Sequence, residues 1–190
     1  MIVLASASPR RQELLRQIGV PHRVAPANID ETPVANEDPS EYVVRMAETK
    51  ARAVAAQLDA VATVLAADTS VIMDGCILGK PENPEHHRAM LQQLSGNTQQ
   101  VLSAIAVVSG SRCDTQVVMT HVTFRQLDDG LISRYLACGE GDDKAGGYGI
   151  QGKGAVLVAS IHGSYSNVVG LPLAETALLL EQHGISYWQS

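Results

Sequence analysis

The stretch Val71-Ile72-Met73-Asp74-Gly75-Cys76-Ile77-Leu78 constrains this chain more than any other. Two apolar runs flank Asp74-Gly75, and Asp-Gly tolerates the positive φ angles that a type I′ turn needs at both central positions. That turn has the twist of two antiparallel strands, so a hairpin is specified locally. The rest of the chain alternates short apolar runs with capped helical patterns. Residues 2–5 read as a buried strand. Ser8 then supplies an N-cap, Pro9 a first helical residue that needs no N–H donor, and Gly19 a stop. A second helix is predicted over 39–58, capped by Asp38 with Glu41 at the third position; its apolar stripe passes through Val43, Ala47, Val54 and Leu58, and Lys50 falls on it. Residues 62–67 read as a buried strand that delivers Asp68-Thr69 at its C-terminal end.

Beyond the hairpin come Gly79-Lys80-Pro81 and a helix capped at Asn83 and stopped at Gly96. Strands are predicted over 101–108 and 116–124 around Gly110, then a helix over 128–137, a glycine-rich stretch over 142–152, a strand over 155–161, a loop, and a last helix over 172–183. Interspersed helices and strands with hairpins imply an α/β fold on a mixed sheet. The 190 residues suffice for one large domain or two closely packed lobes. With one Phe and one Trp, the core must rest on aliphatic side chains.

Composition excludes several classes. The net charge of -6 lacks the broad positive surface of a non-specific nucleic-acid binder. The apolar runs are too short to span a bilayer, so no membrane association is expected. Cys76, Cys113 and Cys138 are odd in number and scattered, which fits reduced thiols in a cytoplasm rather than disulfides or a metal site. The opening residues lack the charged region of a signal peptide. A small anionic substrate remains open, because it needs only a local cluster of cations.

Candidates for such a cluster exist, each with two readings. Ser6, Ser8, Arg10 and Arg11 sit where a helix N-terminus presents N–H groups and a positive dipole end. Capping accounts for Ser8-Pro9 and leaves the adjacent arginines unexplained. Asp68 at a strand end has the usual placement of a catalytic or metal-binding carboxylate in α/β proteins, or simply forms a turn. Lys50 either snorkels to water or reaches an anion. Lys80 is a solvated loop residue or a rigidly presented cation. The glycine-rich stretch lacks the GxxxxGK[ST] order of a phosphate loop, so its glycines serve turns, while the Gln151 amide, both donor and acceptor, can read a base edge. His86-His87 point to different helix faces, unsuited to one metal. His121 reads as a packed or surface strand residue, Cys76 has no base beside it, and Asp128-Asp129 reads as a helix start.

The combination of Leu4-Ala5-Ser6-Ala7-Ser8-Pro9-Arg10-Arg11, Ile29-Asp30-Glu31, Lys50-Ala51, Ala67-Asp68-Thr69, Gly79-Lys80-Pro81, the run Asp143-Lys144-Ala145-Gly146-Gly147-Tyr148-Gly149-Ile150-Gln151-Gly152, and Val168-Val169-Gly170-Leu171-Pro172 resembles the Maf family of nucleotide pyrophosphatases, also called septum formation inhibitor proteins. The resemblance covers almost the whole chain and implies a single Maf-like domain over 1–190. It implies an elongated mixed sheet flanked by helices, two lobes with a central cleft, and often a homodimer. Ser8, Arg11, Lys50 and Lys80 match the family's phosphate-binding positions and Asp68 its general base, with Glu31 a second acidic group. A divalent cation, Mg²⁺ or Mn²⁺, is implied, with Asp68 and Glu31 as its ligands. Arg10, Thr69 and Gln151 match the branch that prefers dTTP and UTP; the branch preferring 7-methyl-GTP typically has Trp, Gln and Glu there. Ser70 and Gly79 depart from the common pattern, which has a bulkier apolar residue and often Glu. Two rival readings are a purine house-cleaning pyrophosphatase of the inosine-triphosphate type and a non-catalytic nucleotide-binding regulator of cell division.

Overall fold

A computed structural model describes residues 1–59 and 61–188. The strands are β1 (Ile2–Leu4), β2 (His22–Val24), β3 (Thr63–Met73), β4 (Cys76–Leu78), β5 (Thr98–Ser109), β6 (Arg112–Phe124) and β7 (Val158–His162). The helices are α1 (Pro9–Gln17), α2 (Pro39–Ala55), α3 (Pro84–Leu94), α4 (Asp129–Leu136), α5 (Tyr165–Val169) and α6 (Leu173–Gln182). One mixed sheet runs in the order β2-β1-β3-β5-β6-β7, with β4 paired to β3. β1 pairs parallel with β2 and with β3, whereas β3–β4 and β6–β7 are antiparallel. The fold class read from the sequence is thus observed. Asp74 and Gly75 have φ of 50° and 77°, as the hairpin signal requires.

Caps do the local work that sequence assigns them. Ser8, Asp38, Asn83 and Asp128 each accept a backbone N–H at the start of α1, α2, α3 and α4. α2 stops at Ala55, short of residue 58, because the next turn closes by Gln57 N–H to Val54 O and Leu58 N–H to Ala55 O. β2 and α5 carry no signal in the sequence, because three and five residues are too few to display a period. β7 starts at Val158, since Lys153–Leu157 winds into a 3₁₀ turn instead of extending.

One difference bears on function. Asp68 does not end a strand: β3 continues through it to Met73, with every residue but Thr69 buried. A buried carboxylate inside a strand requires a partner that removes its desolvation cost, and Lys50 supplies it.

The chain divides into two compact units. The first comprises Met1–Thr69, Ser103–Val118 and Gly170–Ser190; the second comprises Ser70–Leu102 and Met119–Val169. In the first, Ile2, Leu4, Leu15, Met46, Leu65 and Ile105 are fully buried. In the second, Leu91, Val122, Phe124, Tyr135, Tyr148 and Leu157 belong to one cluster, where the Phe124 and Tyr148 rings meet edge to face at 4.9 Å between centroids. Among the described residues no helix is long and apolar enough to cross a membrane. Phe124→Ala should destabilise the protein by about 3–5 kcal/mol, read as a lowered urea midpoint at unchanged slope; a loss under about 1 kcal/mol would show that Phe124 is not a core anchor.

Candidate active site

Lys50 lies on the buried face of α2 with Val43, Met46, Ala47, Ala51 and Val54. Its side chain is only 10% exposed, so the snorkelling alternative does not hold. The ammonium instead donates to Asp68 Oδ1 at 2.7 Å and pairs with Glu31 Oε1 at 2.8 Å. Glu31 comes from the irregular segment between β2 and α2, and its carbonyl accepts the Tyr42 hydroxyl at 2.9 Å. Three of the sequence-derived candidates therefore meet at one nitrogen.

A second constellation adjoins the first through Thr69. Arg11, in the first turn of α1, donates from Nε to the Gly170 carbonyl at 2.9 Å, from Nη1 to Ser6 Oγ at 3.1 Å and from Nη2 to Thr69 Oγ1 at 3.2 Å. Thr69 Oγ1 also shares a hydrogen bond with Ser103 Oγ at 2.8 Å. Burial lowers the Arg11 pKa, opposed chiefly by the nearby Asp68 carboxylate. A guanidinium has five N–H donors; the fold uses three and leaves two for an anion. Ser8 caps α1 through the Arg11 N–H, while the Ser8 N–H donates to Ser6 Oγ at 3.2 Å. Gly170 has φ +124°, and a Cβ there would sit 3.6 Å from Thr69 Oγ1 and 3.7 Å from Arg11 Nε. Glycine is needed for the backbone conformation that turns its carbonyl to Arg11.

The remaining candidates are placed otherwise. Arg10 is half-buried next to Arg11, and its side chain makes no hydrogen bond among the described residues. Lys80 and Gln151 belong to the second unit, where both are exposed. The loop carrying Lys80 is pinned by the Gly146 N–H, which donates to the Gly79 carbonyl at 3.1 Å. Open space surrounds the Gly79 Cβ position, so a side chain would fit there without a clash. Sequence reasoning gave no role to Tyr42, Ser103 or the Gly170 carbonyl. Tyr42 falls on the buried stripe of α2, and that periodicity was the only sequence signal available for it.

The set-aside histidines behave as structural groups. His86 Nδ1 accepts the Glu82 N–H. His87 is buried, with Nε2 at 2.6 Å from the Gly147 carbonyl and Nδ1 at 3.2 Å from Asp142 Oδ1. Cys76 is exposed. Among the described residues no three His, Cys, Asp or Glu side chains gather into a metal cage. Glu31 and Asp68 meet at the Lys50 ammonium through Oε1 and Oδ1, a two-carboxylate set of another kind. Mg²⁺ commonly takes one or two carboxylates and completes its shell with water and substrate phosphate oxygens.

Comparison with known proteins identifies the family. A family model described as "Maf-like protein" matches residues 1–183, and the chain belongs to that family. A Myxococcus xanthus protein named dTTP/UTP pyrophosphatase is 52% identical over 185 residues, covering 97% of this chain and 93% of its own. An Alcanivorax borkumensis protein of the same name is 50% identical over 190 residues, covering 100% and 98%. Among solved structures, a nucleoside-triphosphatase / dITP/XTP pyrophosphatase from Mycobacterium abscessus aligns with 65% of this chain and 73% of its own at 17% identity, with a TM-score of 0.43.

Burial, reinforced by the Asp68 and Glu31 carboxylates, pushes the Tyr42 phenol from 10.0 up to about 12. A raised folded-state pKa stabilises the fold below the unfolded value, and that contribution is lost as pH rises through the folded one. The difference in tyrosinate absorbance between the protein and Tyr42→Phe should accordingly develop near pH 12, not 10. Ionisation at the ordinary pH would place Tyr42 away from both carboxylates.

Proposed function

We propose that this chain hydrolyses dTTP and UTP to the monophosphate and pyrophosphate. The carrying observation is the carboxylate of Asp68 held 2.7 Å from the buried ammonium of Lys50, within one unit that also presents the Arg11 guanidinium at a helix N-terminus. The names of relatives at about half identity across the whole chain support the substrate.

The reaction is attack of water on the α-phosphorus: a P–O bond forms, the bond to the β-phosphate oxygen breaks, and pyrophosphate leaves with the electron pair. Negative charge grows on the leaving group and must be matched by fixed cations. Arg11 has two uncommitted N–H donors, and the start of α1 at Ser8 adds dipole-end N–H groups for phosphate oxygens. Lys50 is already in place and needs no reorganisation. The family motif assigns Lys80 a further phosphate contact. Asp68 accepts the proton of the attacking water, its rotamer fixed by Lys50. Glu31 and Asp68 would hold Mg²⁺ or Mn²⁺, which when bound neutralises phosphate charge and polarises the α-phosphate.

Base selection falls to Gln151 and Arg10. Thr69 completes that set, and its hydroxyl is also bonded to Arg11 and Ser103. Uracil and thymine share one Watson–Crick edge and differ by a methyl worth about 1–3 kcal/mol at most, so both are substrates.

The test is product analysis by chromatography with Mg²⁺ or Mn²⁺ and dTTP, UTP, CTP, GTP, 7-methyl-GTP and ITP. Monophosphate and pyrophosphate should arise from dTTP and UTP. Turnover confined to a purine overturns the substrate, and binding without turnover overturns the enzyme. Asp68→Asn should lower kcat by about 10²–10⁴ with a native circular dichroism spectrum, because Lys50 keeps Glu31 as a partner. Wild-type kcat in that variant would remove Asp68 from the role of base.

A further inference from the structure

Glycines dominate residues 146–154 in the second unit, and the reason lies in one carboxylate. Glu140 follows the end of α4. Its Oε2 accepts the Lys153 N–H at 2.7 Å, and its Oε1 accepts the Gly154 N–H at 2.8 Å and the Tyr135 hydroxyl at 3.1 Å. That same hydroxyl accepts the Gly149 N–H at 3.0 Å. Three backbone N–H groups, at 149, 153 and 154, are thus fixed on one Tyr–Glu pair, and they bracket Gln151 on both sides.

The fit leaves no room for side chains. A Cβ on Gly152 would fall 2.2 Å from Glu140 Oε2, and one on Gly154 would fall 2.6 Å from the Gly149 carbonyl oxygen. These glycines answer to close approach, not to positive φ, which in this stretch occurs only at Gly146 and Gly147. Gln151 itself is exposed and makes no hydrogen bond among the described residues. A rigid backbone therefore carries a side chain whose polar end is uncommitted.

We infer that Glu140 is a positioning residue for nucleobase selection: its carboxylate fixes the backbone on either side of Gln151 and so sets where the Gln151 amide is presented. This rests on the reading of Gln151 as a contact to the base. A merely exposed glutamine would gain nothing from being bracketed in this way. A site that hydrogen-bonds a base edge discriminates only if its donor and acceptor are held in register. Partial burial pushes the Glu140 carboxyl up, but the N–H donors of Gly154 and Lys153 outweigh it and hold the group below the usual carboxylate range. Both acceptor oxygens are consequently available at neutral pH.

The full-length enzyme with Glu140→Gln tests this, because the amide group puts an N–H where a backbone N–H needs an acceptor. Two readouts are taken: amide hydrogen exchange over 149–154, and the ratio of kcat/KM for dTTP over CTP, with Gln151→Ala as reference. Expected is faster exchange in that segment and a ratio lowered by about tenfold, the factor one hydrogen bond is worth, through a raised KM for dTTP with kcat nearly unchanged. Gly152→Ala, which displaces the carboxylate from the opposite side, should do the same, and the double variant should be no worse than the worse single. It also serves as the test if Glu140→Gln does not fold. Unchanged exchange overturns the inference. So does faster exchange with an unchanged ratio while Gln151→Ala lowers it, since Glu140 is then structural only. An unchanged ratio in Gln151→Ala itself overturns the reading of Gln151 and the selection role with it. Failure of the wild type to turn over dTTP is a separate outcome that strikes the proposed function instead.

Discussion

A lysine ammonium is buried on α2, and much of the first unit follows from having to accommodate it. Removing a charge from water is tolerated only where opposite charge and hydrogen bonds replace the lost hydration. Asp68 and Glu31 do so for Lys50 at 2.7 and 2.8 Å. The pairing fixes how α2 lies against β3 within that unit. It also ties down the segment around Glu31, whose carbonyl accepts the Tyr42 hydroxyl. Ion pairs of this kind are poor sources of net stability compared with apolar packing. What the pairing does here is set a carboxylate and an ammonium at fixed positions.

Arg11 shows the same economy by different means. Its guanidinium is planar and its donors are directional, so three bonds to Gly170 O, Ser6 and Thr69 determine where the remaining two point. The contacts come from residues far apart in sequence, which makes this arginine as much a tie between chain segments as a candidate phosphate ligand. The second unit handles its glycine-rich stretch with polar side chains of its own: His87 at the Gly147 carbonyl, and Glu140 with Tyr135 at the N–H groups of 149, 153 and 154. Backbone without side chains cannot be held by apolar packing, so hydrogen bonds to fixed side chains take that part.

Local chemistry was legible wherever a residue type has one dominant reason to be where it is. Asp74-Gly75 specified its turn, and Ser8, Asp38, Asn83 and Asp128 specified four helix starts, because caps and positive φ are decided within a few residues. The mixed α/β class followed from the alternation of those signals, and the family from their order. Short elements such as β2 and α5 left no trace, since tertiary contacts stabilise them without a period.

Other features became decidable only in three dimensions. Sequence put Asp68 at a strand end because a carboxylate in a buried strand is unfavourable alone; the fold continues β3 through it because Lys50, eighteen positions earlier, cancels that cost. Sequence left Lys50 between water and an anion, and burial decided the matter. It read the glycines near Gln151 as turn formers, whereas Glu140 Oε2 occupies the space a Gly152 side chain would need. In each case the deciding term was the desolvation or excluded volume of a group distant in sequence, which periodicity and local propensity do not register. What the sequence determined alone was the list of candidate residues and the elements that carry them; which of those residues meet, at what distance and with what left uncommitted, was set by long-range packing.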